Sequence, residues 1–216
     1  MVIAIDGPSG SGKTSTAKLL AEKLNFYYCD SGSLYRAVTY YLINKKIDLD
    51  NNFQLVNQLN KLKIKYDVTT NTIKINDINV TKYLRTDFVT NNVSKVSSLK
   101  LIRDYLITIQ RELGDFNDII LDGRDIGTTV FPNADFKFYL DADIEVRAQR
   151  RFKELNSAKN KYDYKNILDL IEKRDTYDQN RKWSPLKKAS DAISIDTSKL
   201  SLVEQVNKII SIINNN

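Results

Sequence analysis

The stretch VIAIDGPSGSGKTSTAKLLAEKL, residues 2–24, decides the fold. An apolar run at 2–6 leads into a glycine-rich loop, and a helical pattern follows from Lys13. The segment GPSGSGKT at 7–14 matches the spacing G-x-x-x-x-G-K-[ST] between a strand and a helix. Glycine lets successive backbone N–H groups point at an anion, and the helix start adds the positive end of its dipole. The stretch therefore predicts a phosphate-binding loop.

Two side chains of this loop carry specific chemistry. Lys13 can reach the β- and γ-phosphates of a nucleotide, and the Thr14 hydroxyl can ligate Mg²⁺. A stretch rich in glycine and serine is usually only a loop. Here the strand before it and the helix after it favour the phosphate site.

Composition limits the chemistry that the chain can perform. With 216 residues, 42% of them hydrophobic, it can build one large domain with a full core. It contains no histidine, which excludes Ser-His-Asp and Cys-His catalysis and most zinc sites. A net charge of +6 suits nucleic acid or small phosphorylated ligands, and abundant lysine alone also accounts for it.

The expected compartment is the cytoplasm. No apolar run reaches the roughly 20 residues that a membrane span needs, and the first residues do not resemble a signal peptide. The single cysteine, Cys29, allows no internal disulfide and fits a reducing environment.

Short apolar runs alternate with helical patterns, which is typical of a parallel sheet built from βαβ units. The predicted strands are VIAID (2–6), FYYCD (26–30), DIILD (118–122), FKFYLDA (136–142) and AISID (192–196). The predicted helices lie near 13–24, 33–44, 51–61, 97–113, 143–155, 165–181 and 201–213. Residues 62–80 break this rhythm with period-two alternation, which predicts a small antiparallel insertion. The polar stretch 150–164 is either a solvated helix end and loop or a mobile cover over a nucleotide.

Two further segments follow predicted strands, at the sheet edge where ligands bind in open α/β folds. In DIILDGRDIG at 118–127, Asp122 has the position of a carboxylate that holds Mg²⁺, although an ordinary strand-to-turn aspartate would look the same. CDSGSLYR at 29–36 offers a hydroxyl, a ring and a guanidinium, or is simply a helix start. Together with the glycine-rich loop, these segments indicate one site with two phosphate-binding halves.

Two arginine-rich helical faces complete the pattern. Arg147, Arg150 and Arg151 share one face, and Arg174, Asp178 and Arg181 share another. A surface salt-bridge ladder is the usual explanation of such spacing. After a phosphate loop, the same spacing also favours a charged cleft that neutralises a phosphoryl group in transfer.

With these motifs in place, the chain resembles the bacterial cytidylate kinases, which are nucleoside-monophosphate kinases with the P-loop NTPase fold. The resemblance covers nearly the whole chain and is carried above all by IDGPSGSGKT (5–14), DSGSLYRAVT (30–39), LDGRDIGTTVFPNADFKFYLDA (121–142) and KRDTYDQNR (173–181). It implies a single α/β kinase domain over 1–216, with a five-stranded parallel sheet flanked by helices. It also implies a small β insertion at 62–80 in the monophosphate-binding region and a lid at 150–164.

The same resemblance implies the reaction. ATP, with Mg²⁺, would donate its γ-phosphoryl group to CMP or dCMP, giving CDP or dCDP and ADP. The implied partners are small-molecule nucleotides, with no nucleic acid and no membrane, and we expect a monomer. The nucleophile would be a phosphate oxygen, ionised at pH 7 because its second pKa is about 6. No general base is then needed, which agrees with the missing histidine.

Residue roles on the donor side also come from the resemblance. The donor phosphates would be held by Gly7, Pro8, Ser9, Gly10, Ser11, Gly12, Lys13, Thr14 and Ser15, with Arg147, Arg150 and Arg151 of the lid. The metal ligands would be Thr14 and Asp122, although Ser15 offers a second hydroxyl.

The acceptor side is implied in the same way. The substrate-binding residues would be Ser31, Tyr35, Arg36, Ser94, Arg103, Arg124, Asp125, Arg174, Asp178 and Arg181. Arg36 and Arg124 would grip the acceptor phosphate, and Arg174 and Asp178 the sugar. Cytosine would be recognised by Ser94, Arg103 and Asp125. The catalytic set would be Lys13, Arg124, Arg150 and Arg181.

Other classes of protein fit the sequence less well. A regulatory GTPase needs N-K-x-D and D-x-x-G motifs, but NKKID at 44–48 has Ile47 at the deciding position, and no glycine has an aspartate three residues before it. DSGSLYR and the DGRD segment count against shikimate, gluconate and thymidylate kinases. No aromatic-basic module of a nucleic-acid-binding protein is present. The preference among CMP, dCMP and UMP stays open at this point.

Overall fold

The computed structural model describes residues 1–115, 118–156 and 163–215. Its strands are β1 (Val2–Asp6), β2 (Tyr27–Asp30), β3 (Ile64–Asp67), β4 (Thr72–Ile75), β5 (Ile78–Asn79), β6 (Ile119–Gly123), β7 (Phe136–Asp141) and β8 (Ile193–Asp196). Its α-helices are α1 (Lys13–Leu24), α2 (Ser31–Asn44), α3 (Asn52–Leu59), α4 (Asp87–Ser97), α5 (Lys100–Asp115), α6 (Ile144–Asn156), α7 (Tyr164–Asn180) and α8 (Leu202–Asn214). A 3₁₀ helix lies at Thr81–Tyr83 and a π-helix at Ile126–Val130.

Five strands form one parallel sheet in the order β2–β6–β1–β7–β8. Successive side chains of β1 point to opposite faces, so Ile3 and Ile5 join one core cluster and Ala4 joins the other. All three side chains are fully buried. A strand buried on both faces is typical of a parallel sheet covered by helices on both sides. The predicted α/β fold with a five-stranded parallel sheet is confirmed.

Helices cover the two faces of this sheet. On one face, Leu20 of α1 and Val206 and Ile209 of α8 pack against β1 and β6. On the other face, Leu34 of α2 and Leu106 of α5 enter the larger cluster. The sheet is therefore rigidly held, and its carboxyl edge is a fixed platform for the loops that follow each strand.

Strands β3, β4 and β5 form a separate antiparallel sheet inside the predicted insertion at 62–80. The turn between β4 and β5 consists of Asn76 and Asp77, whose φ angles are +48° and +68°. Asparagine and aspartate tolerate this left-handed region, which suits a two-residue hairpin. Ile73 and Ile75 of β4 are buried in the same cluster as α2, so the insertion is packed onto the main domain.

One helix has no counterpart in the sequence prediction. Helix α4 was not predicted, and the predicted helix at 97–113 begins at Lys100 instead. The sequence of α4, DFVTNNVSKVS, is rich in asparagine, threonine, serine and valine, which are weak helix formers. Its buried face consists of Val89, Val93 and Val96, and packing of this face against α2 stabilises the helix.

The predicted lid at 150–164 lies only partly within the described residues. Its first part is the end of α6, its last part is the start of α7, and 157–162 lie outside the described residues. Among the described residues, no helix has the length and apolar character that crossing a membrane requires.

Candidate active site

The loop between β1 and α1 depends on glycine at defined positions. Gly7, Gly10 and Gly12 have φ angles of +149°, +77° and +92°, which side chains rarely adopt. A Cβ on Gly7 would lie 2.0 Å from the carbonyl oxygen of Leu140, so β7 leaves no room for a side chain. Among the described residues, no side chain caps the start of α1 at Gly12. The first N–H groups of α1 therefore remain available to an anion.

Lys13 is buried beneath this loop. Its ammonium group donates to the carbonyl oxygen of Pro8 at 2.6 Å and to Ser11 Oγ at 3.3 Å. Burial, together with the nearby guanidinium of Arg124, lowers the pKa of Lys13 to about 7. A phosphate at this position would favour the charged form again.

Asp122, at the end of β6, lies beside the loop. Its Oδ2 accepts from Thr14 Oγ1 at 2.9 Å, and its Oδ1 accepts from the hydroxyl of Tyr28 at 2.6 Å. Burial and the charge of Asp30 raise the pKa of Asp122 to about 6. The surroundings of Asp122 therefore favour partial neutralisation of its carboxylate, which a bound cation would provide.

The oxygen donors at this point suit Mg²⁺. Thr14 and Asp122 are adjacent, and Mg²⁺ is usually held by one or two protein oxygens together with substrate phosphates and water. Among the described residues, no cluster of three acidic, histidine or cysteine side chains could hold a metal alone. Ser15 also lines the cleft, but Thr14 supplies the hydroxyl in contact with Asp122.

The loop after β6 is fixed by a carboxylate at the end of β1. The carboxylate of Asp6, at the end of β1, accepts from the N–H groups of Ile126 at 2.9 Å and Gly127 at 2.7 Å. Burial raises the pKa of Asp6 to about 7, although both N–H groups act in the opposite direction. This contact fixes the π-helix, and with it Arg124 and Asp125 at the carboxyl edge.

Beyond the phosphate loop, a cluster of buried charges connects three elements. Asp125 accepts from Arg103 of α5 at 2.5 Å and from Arg181 at 3.4 Å. Asp178 of α7 accepts from Arg124 at 3.0 Å. Burial acts against ionisation of Asp178, but Arg124, Arg174 and Arg181 lower its pKa overall. The two carboxylates thus hold the guanidinium groups in fixed directions.

Two further arginines have weaker pairing. The Nε of Arg174 is buried and has no hydrogen-bond partner among the described residues. Within the part of the chain that the structure describes, Arg36 donates to two neutral oxygens, Thr90 Oγ1 at 2.9 Å and the carbonyl of Leu84 at 3.3 Å. Burial and the charge of Arg124 lower the pKa of Arg174 to about 10, and burial and the charge of Arg174 do the same for Arg36. An anion between these cations would stabilise both.

One cleft of about 550 Å³ is lined by Lys13, Thr14, Asp122 and the arginines and aspartates of the buried cluster, whereas Asp6 lies outside its lining. Among the described residues, nine cationic side chains line it against five acidic ones. This excess of positive charge suits two phosphorylated ligands side by side.

Comparison with known proteins decides which family this cleft belongs to. Residues 3–215 match the family model described as cytidylate kinase. The chain belongs to the cytidylate kinase family.

Individual relatives agree over nearly the full length. The chain is 42% identical to a cytidylate kinase of Fusobacterium nucleatum over 207 residues, covering 96% of this chain and 94% of the relative. It is 45% identical to a cytidylate kinase of Clostridium tetani over 213 residues, covering 99% of this chain and 93% of the relative. The resemblance inferred from the motifs is therefore confirmed.

A solved structure confirms the fold alone. A shikimate kinase from Bacteroides thetaiotaomicron has a TM-score of 0.51 and 13% identity, over 99% of this chain and 98% of the other. At this identity the fold does not distinguish a cytidylate kinase family member from a shikimate kinase. The family match excludes that alternative.

The structure brings most of the predicted site residues of this cytidylate kinase family member together. Those that line the cleft are Ser9, Gly10, Gly12, Lys13, Thr14, Ser15, Ser31, Tyr35, Arg36, Arg103, Asp122, Arg124, Asp125, Arg150, Arg151, Arg174, Asp178 and Arg181. Those that lie outside its lining are Gly7, Pro8, Ser11, Ser94 and Arg147.

Two of the outlying residues have clear structural surroundings. Arg147 forms an ion pair with Asp175 and is 8% exposed, so its guanidinium faces α7. Ser94 lies on α4, whose cleft-lining serine is instead Ser97, one helical turn further on. Because α4 was not predicted, its register towards the cleft could not be read from the sequence.

The sequence motifs did not indicate two residues that line the cleft. Asp30 caps α2 by accepting from the N–H of Ser33 at 3.1 Å, and it pairs with Arg85 at 2.9 Å. The signal for Asp30 was its place at the end of β2, in the motif that supplied Ser31. Gln205 accepts from Thr16 Oγ1 at 2.8 Å beneath the loop, and a lone glutamine in α8 gives no such signal.

Proposed function

We propose that this chain transfers the γ-phosphoryl group of ATP to CMP or dCMP, giving ADP and CDP or dCDP. The observation that carries the proposal is the single cleft in which the phosphate loop and the Asp125 cluster face each other. Membership of the cytidylate kinase family supports the same reaction.

The donor side consists of the loop and two arginines of α6. The N–H groups at the start of α1 and the ammonium of Lys13 bind the ATP phosphates. Arg151 lines the cleft and pairs with Glu154 at 2.8 Å. Arg150 donates to the carbonyl of Thr197 at 2.6 Å, above the loop. Thr14 and Asp122 would hold Mg²⁺, which would supply positive charge against the donor phosphates.

The acceptor side uses the remaining arginines. The phosphate of the monophosphate is bound by Arg36 and Arg174, whose charges lack full compensation, and by Arg124, which Asp178 holds in place. A carboxylate is a natural acceptor for the exocyclic amine of cytosine. Asp125, whose direction Arg103 and Arg181 fix, serves this purpose.

The reaction needs positioning and charge neutralisation rather than a proton shuttle. The attacking phosphate oxygen is ionised near pH 7, since the second pKa of a phosphomonoester is about 6. Forked guanidinium groups bind two phosphate oxygens at once, which suits the charge spread of the transition state. Arg124 and Arg181 supply these groups.

The deciding experiment measures ADP release from ATP with CMP, dCMP, UMP, AMP, shikimate and gluconate as acceptors. We expect turnover that requires Mg²⁺ and is highest with CMP or dCMP. Highest turnover with shikimate or gluconate, or ATP hydrolysis that no acceptor accelerates, would contradict the proposal. Lys13→Ala serves as the inactive control, since it keeps the fold but removes the cation beneath the phosphates.

We further infer that the chain acts in the cytoplasm as a monomer, without nucleic acid as a partner. All the groups proposed for catalysis come from one chain, which supports a monomer. Sedimentation with and without nucleotides tests the assembly state, and a dimer in either condition would contradict it.

A further inference from the structure

A buried ion pair lies behind the phosphate loop, between α6 and α7. Arg147 of α6 contacts Asp175 of α7 through Nη1 and Oδ2, and each side chain is only 9% exposed. Neither residue lines the cleft. The pair therefore lies outside the cleft, although the charge of Asp175 still acts on Lys13 and Arg124 inside it.

Both members of the pair bind the same loop residue. Asp175 Oδ1 accepts from the backbone N–H of Ser9 at 2.9 Å, and Arg147 Nη1 donates to the backbone carbonyl of Ser9 at 3.0 Å. Arg147 Nε also donates to the carbonyl of Ala142 at 2.9 Å, just beyond the end of β7. The two side chains thus connect Ser9 to the rigid sheet.

The backbone of α6 also limits where the loop can lie. A Cβ on Gly10 would come within 3.0 Å of both the Cβ and the carbonyl oxygen of Arg147. Ser9 is therefore held through both of its backbone polar groups, while the next residue rests against the helix. A loop with three residues at positive φ needs such outside contacts to keep one conformation.

We propose that Arg147 and Asp175 are a positioning pair that fixes the phosphate loop and that neither side chain touches ATP. The proposal rests on the proposed function only in taking ATP as the ligand of the loop. Asp175 gives Ser9 N–H a charged acceptor, and Arg147 neutralises a carboxylate that would otherwise repel the phosphates. Each buried side chain therefore needs the other to neutralise its charge.

The pair also connects the two halves of the site. Asp175 precedes Asp178 by three residues on α7, and Asp178 pairs with Arg124 at the acceptor side. One helix therefore contacts the donor loop and the acceptor cluster together. Removal of the pair should affect the donor loop more than the acceptor side, because Ser9 contacts the pair directly, whereas Arg124 and Arg174 feel only the charge of Asp175.

The test compares the double variant Arg147→Met/Asp175→Leu with wild type. Apolar replacements of a buried pair often preserve stability, so the melting temperature should stay close to that of wild type. We expect KM for ATP to rise about 10- to 100-fold, since small displacements of binding groups have effects of this size. KM for CMP should change much less, because Asp175 acts on Arg124 and Arg174 only through its charge. Arg147→Lys, which keeps the charge, should raise KM for ATP less than the double variant does.

A matched control breaks an ion pair away from the cleft. Lys137 pairs with Asp191 at 2.6 Å, and neither residue lines the cleft. Asp191→Asn should leave KM for ATP unchanged, whatever its effect on the melting temperature. Calorimetric titration of ATP without an acceptor repeats the comparison independently of turnover, so failure of the CMP reaction would leave this test intact.

Three results would overturn the proposal. The first is an unchanged KM for ATP in the folded double variant. The second is an equal rise of KM for ATP and CMP, which would mean general loosening. The third is ATP binding in the double variant that is as weak as in Arg147→Met alone, since removal of the unpaired carboxylate of Asp175 should restore part of the affinity; this result would mean that Arg147 contacts ATP directly. If the double variant does not fold, Asp175→Leu decides, because leucine removes the acceptor of the Ser9 N–H, and an unchanged KM for ATP in that variant overturns the proposal.

Discussion

Binding of ATP should protonate Lys13. In the structure, burial and the guanidinium of Arg124 lower the pKa of Lys13 to about 7. A bound triphosphate places several negative charges beside this group, and nearby negative charge favours the protonated form of lysine. The pKa should then return towards its ordinary value of about 10.4. The protein should therefore take up a proton as ATP binds.

The size of the uptake follows from these two pKa values. At pH 8, one unit above a pKa of about 7, roughly a tenth of Lys13 is protonated before binding, so uptake approaches about 0.9 proton per ATP. At pH 7 uptake is about half a proton, and at pH 6 it is about a tenth, so it falls as the pH falls. Asp122, whose pKa is about 6, is already ionised at pH 8 and contributes little there.

Titration calorimetry at pH 8, in buffers of different ionisation enthalpy, measures this uptake directly. Lys13→Arg keeps a charge that does not titrate in this range, so it should bind ATP without proton uptake. Lys18→Met removes an exposed lysine of the same helix and should leave the uptake unchanged. Zero uptake by the wild type at pH 8, or the same uptake in Lys13→Arg, would refute the reasoning.

Three substitutions test other parts of the molecule. Arg181→Lys should lower kcat about tenfold or more, because lysine lacks the planar fork. The same substitution should also lower the melting temperature, because Arg181 is 9% exposed and its Nε donates to the carbonyl of Ser184 at 2.6 Å. An intact kcat with a lowered melting temperature would give Arg181 a structural role only. Asp125→Asn should reduce the ratio of kcat/KM for CMP to that for UMP, and an unchanged ratio would remove Asp125 from base recognition. Leu20→Ala should destabilise the fold by about 2–5 kcal/mol in urea unfolding and leave both KM values unchanged; a changed KM would contradict its place in the core.

The elements that the sequence predicted best are those whose signal is local. The strand, loop and helix at 2–24 follow from adjacent residues, because the steric requirement for glycine and the burial of β1 act within a few positions. Helix α4 was missed for the opposite reason. Its three buried valines stabilise it through tertiary packing, above all against α2, which lies some 50 residues earlier in the chain.

The site shows the same division between local and distant information. The loop and Asp122 carry their chemistry in short motifs, so their meeting in one cleft could be anticipated from strand order at the carboxyl edge. The partner of Arg147 could not be anticipated from the sequence. Its spacing with Arg150 and Arg151 indicated one shared face, but α6 places the guanidinium of Arg147 against Asp175 and that of Arg150 against Thr197. Only the packing of α6 on α7 decides which arginine faces the cleft.

The pKa directions of the arginines divide the cleft into two kinds of position. Burial acts against Arg103 and Arg124, yet Asp125 and Asp178 raise their pKa values overall, so these two groups are compensated within the protein. Arg36 and Arg174 are not compensated in this way. Burial and neighbouring arginines lower the pKa of each to about 10. A bound phosphate stabilises the site most where cations repel one another, because it neutralises them. Where cations are already held in place, they orient the phosphate. A cleft without histidine can therefore use one set of arginines to attract the acceptor phosphate and another, held by aspartates, to orient it for transfer.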